Sequence, residues 1–190
     1  CGLYLVRNGA IVYDNVKLTA TAGTNGSLTW QPEAGVTLAG GMAGEHYFLY
    51  YPYRANMTDK VTASATSDEK FFAPLISGWQ PAAGPSTYAA YTASDLMTAT
   101  GTAVRTNGSI SLSFSMAHRM AMAVIEMPKT VYEFTENGNG VIPDYTAATS
   151  ADFADSDAKP CRMVDGTYRC IVKPASSCLL YTSPSPRDRG

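Results

Sequence analysis

Charge is scarce in this chain of 190 residues: Asp, Glu, Lys and Arg together make up 16%, against about 25% in an ordinary soluble domain. Disorder needs the reverse, and a content of 45% hydrophobic and 11% aromatic residues is enough to bury a core. The net charge is −2, with no cluster of Lys or Arg. Without a basic stripe to follow a phosphate backbone, an electrostatic nucleic-acid binder is excluded. No run of about 18 apolar residues occurs, so no helical membrane span is expected. Histidine is rarer still: His46 and His118 lie far apart, and neither has a second residue at ligand spacing. The metalloprotease, dithiol, nucleophile-elbow and phosphate-loop motifs are all missing.

What remains as candidate chemistry is thin. Ser67 and Lys70 match a Ser-x-x-Lys pattern, but its companion motifs are absent, and Ser67-Asp68-Glu69-Lys70 reads as a solvated turn. Asp152, Asp155 and Asp157 carry oxygens that suit calcium, yet at no standard loop spacing, so an acidic surface loop is expected. His118 falls on the apolar side of its strand and is expected to be a core histidine. Tyr88 and Tyr91 could stack on sugars or contact a protein partner; sheet-surface or core packing is the plainer role. No catalytic, cofactor-binding or metal-binding residue is assigned.

Turn signals dominate instead. Asn-Gly occurs at Asn8-Gly9, Asn25-Gly26, Asn107-Gly108, Asn137-Gly138 and Asn139-Gly140. Two-residue hairpin turns need positive φ at both central residues, which Asn-Gly tolerates best. The first three are flanked by strand-like runs: Leu3–Arg7 with Ala10–Tyr13, Val16–Ala22 with Ser27–Trp30, and Ala103–Thr106 with Ser109–Met116. Tyr47-Phe48-Leu49-Tyr50-Tyr51-Pro52-Tyr53 reads as a central strand ending at or just before Pro52. Ile110, Leu112, Phe114, Met116 and His118 alternate with small or polar residues, the mark of a strand with one buried face. That run continues through Met120, Met122, Val124 and Ile125 towards Pro128, and a helical turn near residues 117–123 stays open. One short helix is expected, capped by Ser94, with Asp95 in its first turn and Leu96-Met97 on its buried side. The fold class is therefore all-β, an antiparallel sandwich with one short helix.

Asp165-Gly166 is a further two-residue turn signal. Counting outward pairs Val164 with Thr167 and sets Cys161 opposite Cys170, within disulfide range. A disulfide in an oxidising compartment and two free buried thiols both remain open.

The ends read differently from the middle. Cys178-Leu179-Leu180-Tyr181-Thr182-Ser183-Pro184-Ser185-Pro186-Arg187-Asp188 resembles a translated reading frame of a transposase adapter used in sequencing libraries. Residues 178–190 are then expected to be a scar, and the chain to be a fragment cut at both ends. Cys1 could mark a lipoprotein, but the strand-like Gly2-Leu3-Tyr4-Leu5-Val6 follows with no polar tether.

Three stretches in order carry a family resemblance. Residues 47–53 resemble the Y-x-x-Y-Y-P-Y strand of the fimbrillin-like proteins of Bacteroidales. Ser86-Thr87-Tyr88-Ala89-Ala90-Tyr91-Thr92-Ala93-Ser94-Asp95-Leu96-Met97 is similar to the segment just downstream there. Phe114-Ser115-Met116-Ala117-His118-Arg119-Met120 is similar to the family's F-x-x-x-H-x-M strand. Gly84-Pro85 departs from the polar pair more usual before that second segment.

The resemblance implies a structural or adhesive subunit of a cell-surface fimbria at the outer membrane, exported as a lipoprotein. It implies Greek-key, transthyretin-like sandwich domains that polymerise when a neighbour donates a strand to an open groove. Other fimbrial subunits would be its partners, with host or bacterial glycans or proteins as further contacts. A monomeric carbohydrate-binding surface lipoprotein is the alternative. On this reading residues 1–104 form a first domain, incomplete at its start, and 105–177 begin a second. Tyr50, Pro52, Tyr53, Asp95, Phe114 and His118 are expected to serve structure.

Overall fold

Asn8 and Gly9 both adopt positive φ, 51° and 78°, and turn β1 (Gly2–Arg7) into β2 (Ala10–Ala22), as Asn-Gly in a two-residue hairpin should. The structure, a computed structural model, describes residues 1–26, 28–82, 87–125, 134–136, 139–141 and 160–174. The strands that follow are β3 (Leu28–Pro32), β4 (Glu45–Tyr51), β5 (Met97–Thr106), β6 (Ser109–Phe114), β7 (Ala117–His118), β8 (Ala121–Ile125), β9 (Phe134–Glu136), β10 (Asn139–Val141), β11 (Cys161–Arg162) and β12 (Tyr168–Val172). A seven-stranded antiparallel sheet runs in the order β3-β2-β1-β4-β5-β6, with β7 also on β5. A second sheet has the order β11-β12-β8, and β9 pairs with β10. The antiparallel, all-β fold expected from the turn pattern is the one found.

Two shifts of register between β1 and β2 bend the long β2, and Asn15 sits there at φ 50°. Bulges of this kind increase twist. They curl the sheet until Val16 and Leu18 of β2 share an apolar cluster with Leu112 and Phe114, although β1, β4 and β5 lie between them in the sheet.

The strand at 47–53 is central, as expected: β4 lies between β1 and β5, and Tyr51-Pro52 is a cis peptide bond. Its alternation serves two faces. Phe48 and Tyr50 join Tyr4 and Val6 in a core closed by Phe71, Phe72, Leu75 and Trp79. Phe48 stacks on Phe71 at 4.3 Å, and Phe71 meets Phe72 edge-on at 4.9 Å. The other face carries Leu3 and Leu49.

Among the described residues three short α-helices stand where a single helix was expected. They are α1 (Asp68–Phe71), α2 (Ala73–Gly78) and α3 (Tyr88–Thr92). The cues for α1 and α2 are local: Asp68 and Glu69 in a first turn, Pro74 at a helix start, and apolar residues at 71, 72, 75 and 76. Too few turns are present for periodicity to stand out. The helix expected from Ser94 lies earlier, capped by Thr87, whose Oγ1 accepts from the Ala90 N–H at 3.2 Å. Ser94 closes it instead: its hydroxyl donates to the Ala90 carbonyl at 3.0 Å.

Of the other hairpins, β5–β6 turns through Asn107 (φ 50°) and Gly108 (φ 82°) as expected. Between β2 and β3, Ala22 pairs with Leu28, so the connection is longer than Asn25-Gly26 alone. The Cys161–Cys170 pairing is corrected. Cys161 pairs with Arg169 and Arg162 with Tyr168, and both cysteines are free and buried. Gly166 takes φ 83° while its N–H bonds the Met163 carbonyl at 3.1 Å, and Met163 N–H bonds the Thr167 carbonyl at 2.8 Å. This is a three-residue loop with a bulge, and one extra residue slips the register by one.

The run from Ile110 to Ile125 is also divided. β6 and β7 keep one register on β5, with Gly101 opposite Phe114 and Thr98 opposite Ala117. After Arg119, whose N–H still bonds the Leu96 carbonyl at 2.7 Å, the chain leaves for the second sheet as β8 on β12. No helical turn forms at 117–123. The boundary expected after residue 104 falls inside β5, where Val104 and Arg105 pair with Ser111 and Ile110. Gly84-Pro85, Asn137-Gly138, Asp152, Asp155, Asp157 and residues 178–190 lie outside the described residues.

Candidate functional site

The face bearing Leu3 and Leu49 is only partly covered. Val16, Leu38, Leu112, Phe114 and Met116 line it half-buried and form a trough between β2 and β6. The connection from β3 to β4 crosses this trough and is tied down at three places. Tyr13 on β2 donates its hydroxyl to the Ala39 carbonyl at 2.9 Å and accepts from the Ala39 N–H at 2.7 Å. Arg105 on β5 donates to the Gly40 carbonyl at 2.8 Å. Glu45 takes the third tie: its Oε2 accepts from the N–H groups of Gly41 (2.6 Å) and Met42 (3.0 Å) and from the Tyr47 hydroxyl (2.6 Å). Its Oε1 accepts from Arg7 Nη2 at 2.6 Å. The Glu45 side chain is 1% exposed. Burial opposes its ionisation, but the bonds from Tyr47, Arg7, Met42 and Gly41 outweigh that and hold its pKa down at about 2.

β6 borders the trough, and its outer edge has no strand partner among the described residues. In a two-residue hairpin the flanking pair, here Thr106 and Ser109, is hydrogen-bonded, and such pairs alternate. The backbone N–H and C=O groups of Ile110, Leu112 and Phe114 therefore point away from β5, on the side where no described strand pairs. Unpaired edge groups of this sort are a template for a further strand.

A second concavity lies where the two sheets meet. Tyr51, Tyr91, Thr92, Asp95, Met97, His118, Met120, Met122 and Ile171 line a groove of about 490 Å³. His118 is corrected here. Its strand parity does place it with Met116 and Phe114, but beyond Met116 that face opens into the groove, and the side chain is 67% exposed. Its Nδ1 lies 2.7 Å from Asp95 Oδ2. His46 is half-buried on β4 opposite Val6, at the other end of the sheet, its ring 6.2 Å from Phe48. Tyr88 is 67% exposed, whereas Tyr91 is buried and donates its hydroxyl to Met122 Sδ at 3.0 Å. The two do not make an exposed pair.

Tyr50, expected to serve structure, donates its hydroxyl to Asn15 Oδ1 at 2.7 Å and accepts from the Arg54 N–H at 3.1 Å. Phe114 packs beside the trough, and the Tyr53 ring lies 5.5 Å from Lys17 Nζ. Ser67 precedes α1, and the segment around it is not a solvated turn. Asp68 accepts from Thr98 Oγ1 (2.5 Å), Thr100 Oγ1 (3.1 Å) and Arg119 Nη2 (2.5 Å). Burial opposes its charge, but these donors prevail and lower its pKa. Nothing in the spacing of residues 68, 98 and 119 announced this cluster. Among the described residues no three His, Cys, Asp or Glu side chains converge as metal ligands. No helix among them is long and apolar enough to cross a membrane.

The fimbrillin-like family matches residues 6–168 of the chain. A protein of Bacteroides ovatus, provisionally named fimbrium tip subunit Fim1C, is 36% identical over 156 residues, which cover 80% of this chain and 28% of that protein. The crystal structure of a fimbrial protein from Bacteroides ovatus superposes with a TM-score of 0.62 at 26% identity, over 92% of this chain and 36% of the other. The chain thus spans roughly a third of the length of the relatives it matches.

Proposed function

Because this chain belongs to the fimbrillin-like family, we propose that it is part of a structural or adhesive subunit of a cell-surface fimbria, joined to its neighbours by strand addition along β6. The observation that carries this reading is the open edge of β6 beside a half-covered apolar trough. A strand laid there pairs with the outward groups of Ile110, Leu112 and Phe114. Its alternate side chains cover Leu112, Phe114 and Met116. Main-chain bonds give affinity and the alternate pockets give selectivity. Contacts of this head-to-tail kind build open filaments instead of closed rings. The subunit works outside the cell, anchored at the outer membrane as a lipoprotein, and catalyses no reaction.

The test is assembly of the complete gene product at the cell surface. Electron microscopy is expected to show filaments, with an SDS-resistant ladder on gels. Leu112→Pro removes an outward N–H without touching the β5 ladder and is expected to abolish the ladder of bands while the protein still folds. Ser111→Pro removes an inward N–H and is expected to disturb folding itself. Filaments that survive Leu112→Pro unchanged would place the junction elsewhere. A folded monomer that binds glycans and never polymerises would favour the carbohydrate-binding alternative, for which Tyr88 offers one exposed ring.

A further inference from the structure

Met116-Ala117-His118-Arg119-Met120-Ala121-Met122 repeats a sulfur or imidazole at every second position. Met116 is spent on the trough. His118, Met120 and Met122 all line the groove between the sheets, where Met97 joins them from β5. Met97 lies directly opposite His118 in the β5–β7 ladder, and Met122 opposite Ile171 in the β8–β12 ladder. Three thioethers and one imidazole therefore border a single open space.

Two observations separate this set from ordinary methionine packing. The first is the pairing of His118 Nδ1 with Asp95 Oδ2 at 2.7 Å. A carboxylate that accepts from Nδ1–H fixes the tautomer with Nε2 as the free lone pair, the arrangement found behind most metal-bound histidines. The second is that Met122 is 55% exposed, although methionine is ordinarily a filler of buried gaps, and the Tyr91 hydroxyl holds its Sδ at 3.0 Å within the groove.

We propose that this groove is a binding site for a soft monovalent cation, copper(I), with Met97, Met120 and Met122 as thioether ligands, His118 Nε2 as the nitrogen ligand, and Asp95 as the group that orients the ring. Thioethers select copper(I) over harder divalent ions. The single negative charge of Asp95 balances a monovalent cation. The site goes beyond the fimbrial reading and does not depend on it.

Silver(I) is the redox-inert probe, and copper(I) under anaerobic conditions is the second. Titrated into the full chain, one equivalent of either is expected to shift the ¹³C ε-methyl signals of Met97, Met120 and Met122 together, leaving Met42 and Met57 in place. Met97→Leu with Met122→Leu conserves volume, so the fold survives while binding is lost. Asp95→Asn is expected to weaken binding about 10- to 100-fold. The proposal is overturned if the three methyl signals stay still while the metal is taken up by Cys161 or Cys170. It is equally overturned if zinc(II) shifts the same signals as strongly as silver(I), or if the double Leu variant binds as tightly as the parent.

Discussion

Replacing Glu45 with Gln tests whether the strap over the trough is held electrostatically. The carboxylate keeps its size as an amide but loses its charge. With its oxygen in the Oε2 position the amide still accepts from Gly41, Met42 and Tyr47, but its NH₂ then faces the Arg7 guanidinium, donor against donor, and the ion pair is gone. Lowering the Glu45 pKa from 4.5 to about 2 amounts to ~3 kcal/mol, at about 1.4 kcal/mol per tenfold change in proton affinity. Arg7 is 34% exposed on its side chain, so solvent screens part of this, and ~2 kcal/mol is the working figure.

The sign follows from the depressed value. The folded state holds the carboxylate ionised more tightly than the unfolded chain does. The stabilisation is thus complete above the unfolded pKa of 4.5 and fades as pH falls to about 2. Urea unfolding of parent and Glu45→Gln at a series of pH values reads the difference directly. It is expected to be ~2 kcal/mol at pH 7, equivalent to about 4–8 °C in Tm for a chain of this size. It should shrink towards zero by pH 2, and contributions from Asp68 cancel because both proteins share them. A difference that stays constant from pH 7 to pH 2, or one below ~0.5 kcal/mol at pH 7, refutes the electrostatic account.

Two further substitutions probe the sheet. Gly101 lies opposite Phe114, and a Cβ there would come within 2.4 Å of Phe114 Cε1 and 2.9 Å of Tyr47 Cβ. Gly101→Ala is therefore expected to cost ~1–3 kcal/mol in a thermal melt, partly recovered by Phe114→Leu. No loss, or no recovery, would mean the close approach is relieved elsewhere. The Tyr4 hydroxyl is buried without a hydrogen-bond partner among the described residues. Tyr4→Phe is expected to be neutral or to stabilise by ~1 kcal/mol, since an unsatisfied buried hydroxyl carries its desolvation penalty uncompensated. A clear drop in Tm would show that the hydroxyl has a partner after all.

The elements legible from the residues were those whose causes are local. Asn8-Gly9 and Asn107-Gly108 fixed two hairpins because positive φ at both turn positions leaves few other choices. The tyrosine-rich strand declared itself because a run of large β-prone residues has to be buried on both sides, and β4 is. Asp165-Gly166 marked the right place but not the right turn. Gly166 alone takes positive φ, Asp165 does not, and the resulting one-residue slip is what separates the two cysteines. His118 shows the limit of strand parity. Alternation says which face a side chain is on, but not whether that face is covered at that point along the strand. Coverage along this face depends on the strap across residues 38–42 at one end and, at the His118 end, on where β8 departs, both set by contacts distant in sequence.

The cluster at Asp68 explains why the departure of β8 is so sharply placed. β7 stays in register on β5 as far as the Arg119 N–H bond to Leu96. Arg119 then reaches back, Nε to Thr98 Oγ1 at 2.7 Å and Nη2 to Asp68 Oδ2 at 2.5 Å. The guanidinium thus ties β5 and α1 to the last residue before the corner. Its charge is half-sheltered and met by one carboxylate, with side-chain exposures of 19% and 16%, so removing either partner would strand a charge away from water. α1 carries Phe71 into the main core one turn later, stacked on Phe48. The same residue that ends the first sheet is therefore fastened to the helix that closes that sheet's core. Met120, next in sequence, is already buried at the seam, facing the groove. A solvated reading of Ser67-Asp68-Glu69-Lys70 follows from its composition, yet the fold uses Asp68 to set where one sheet stops and the next begins.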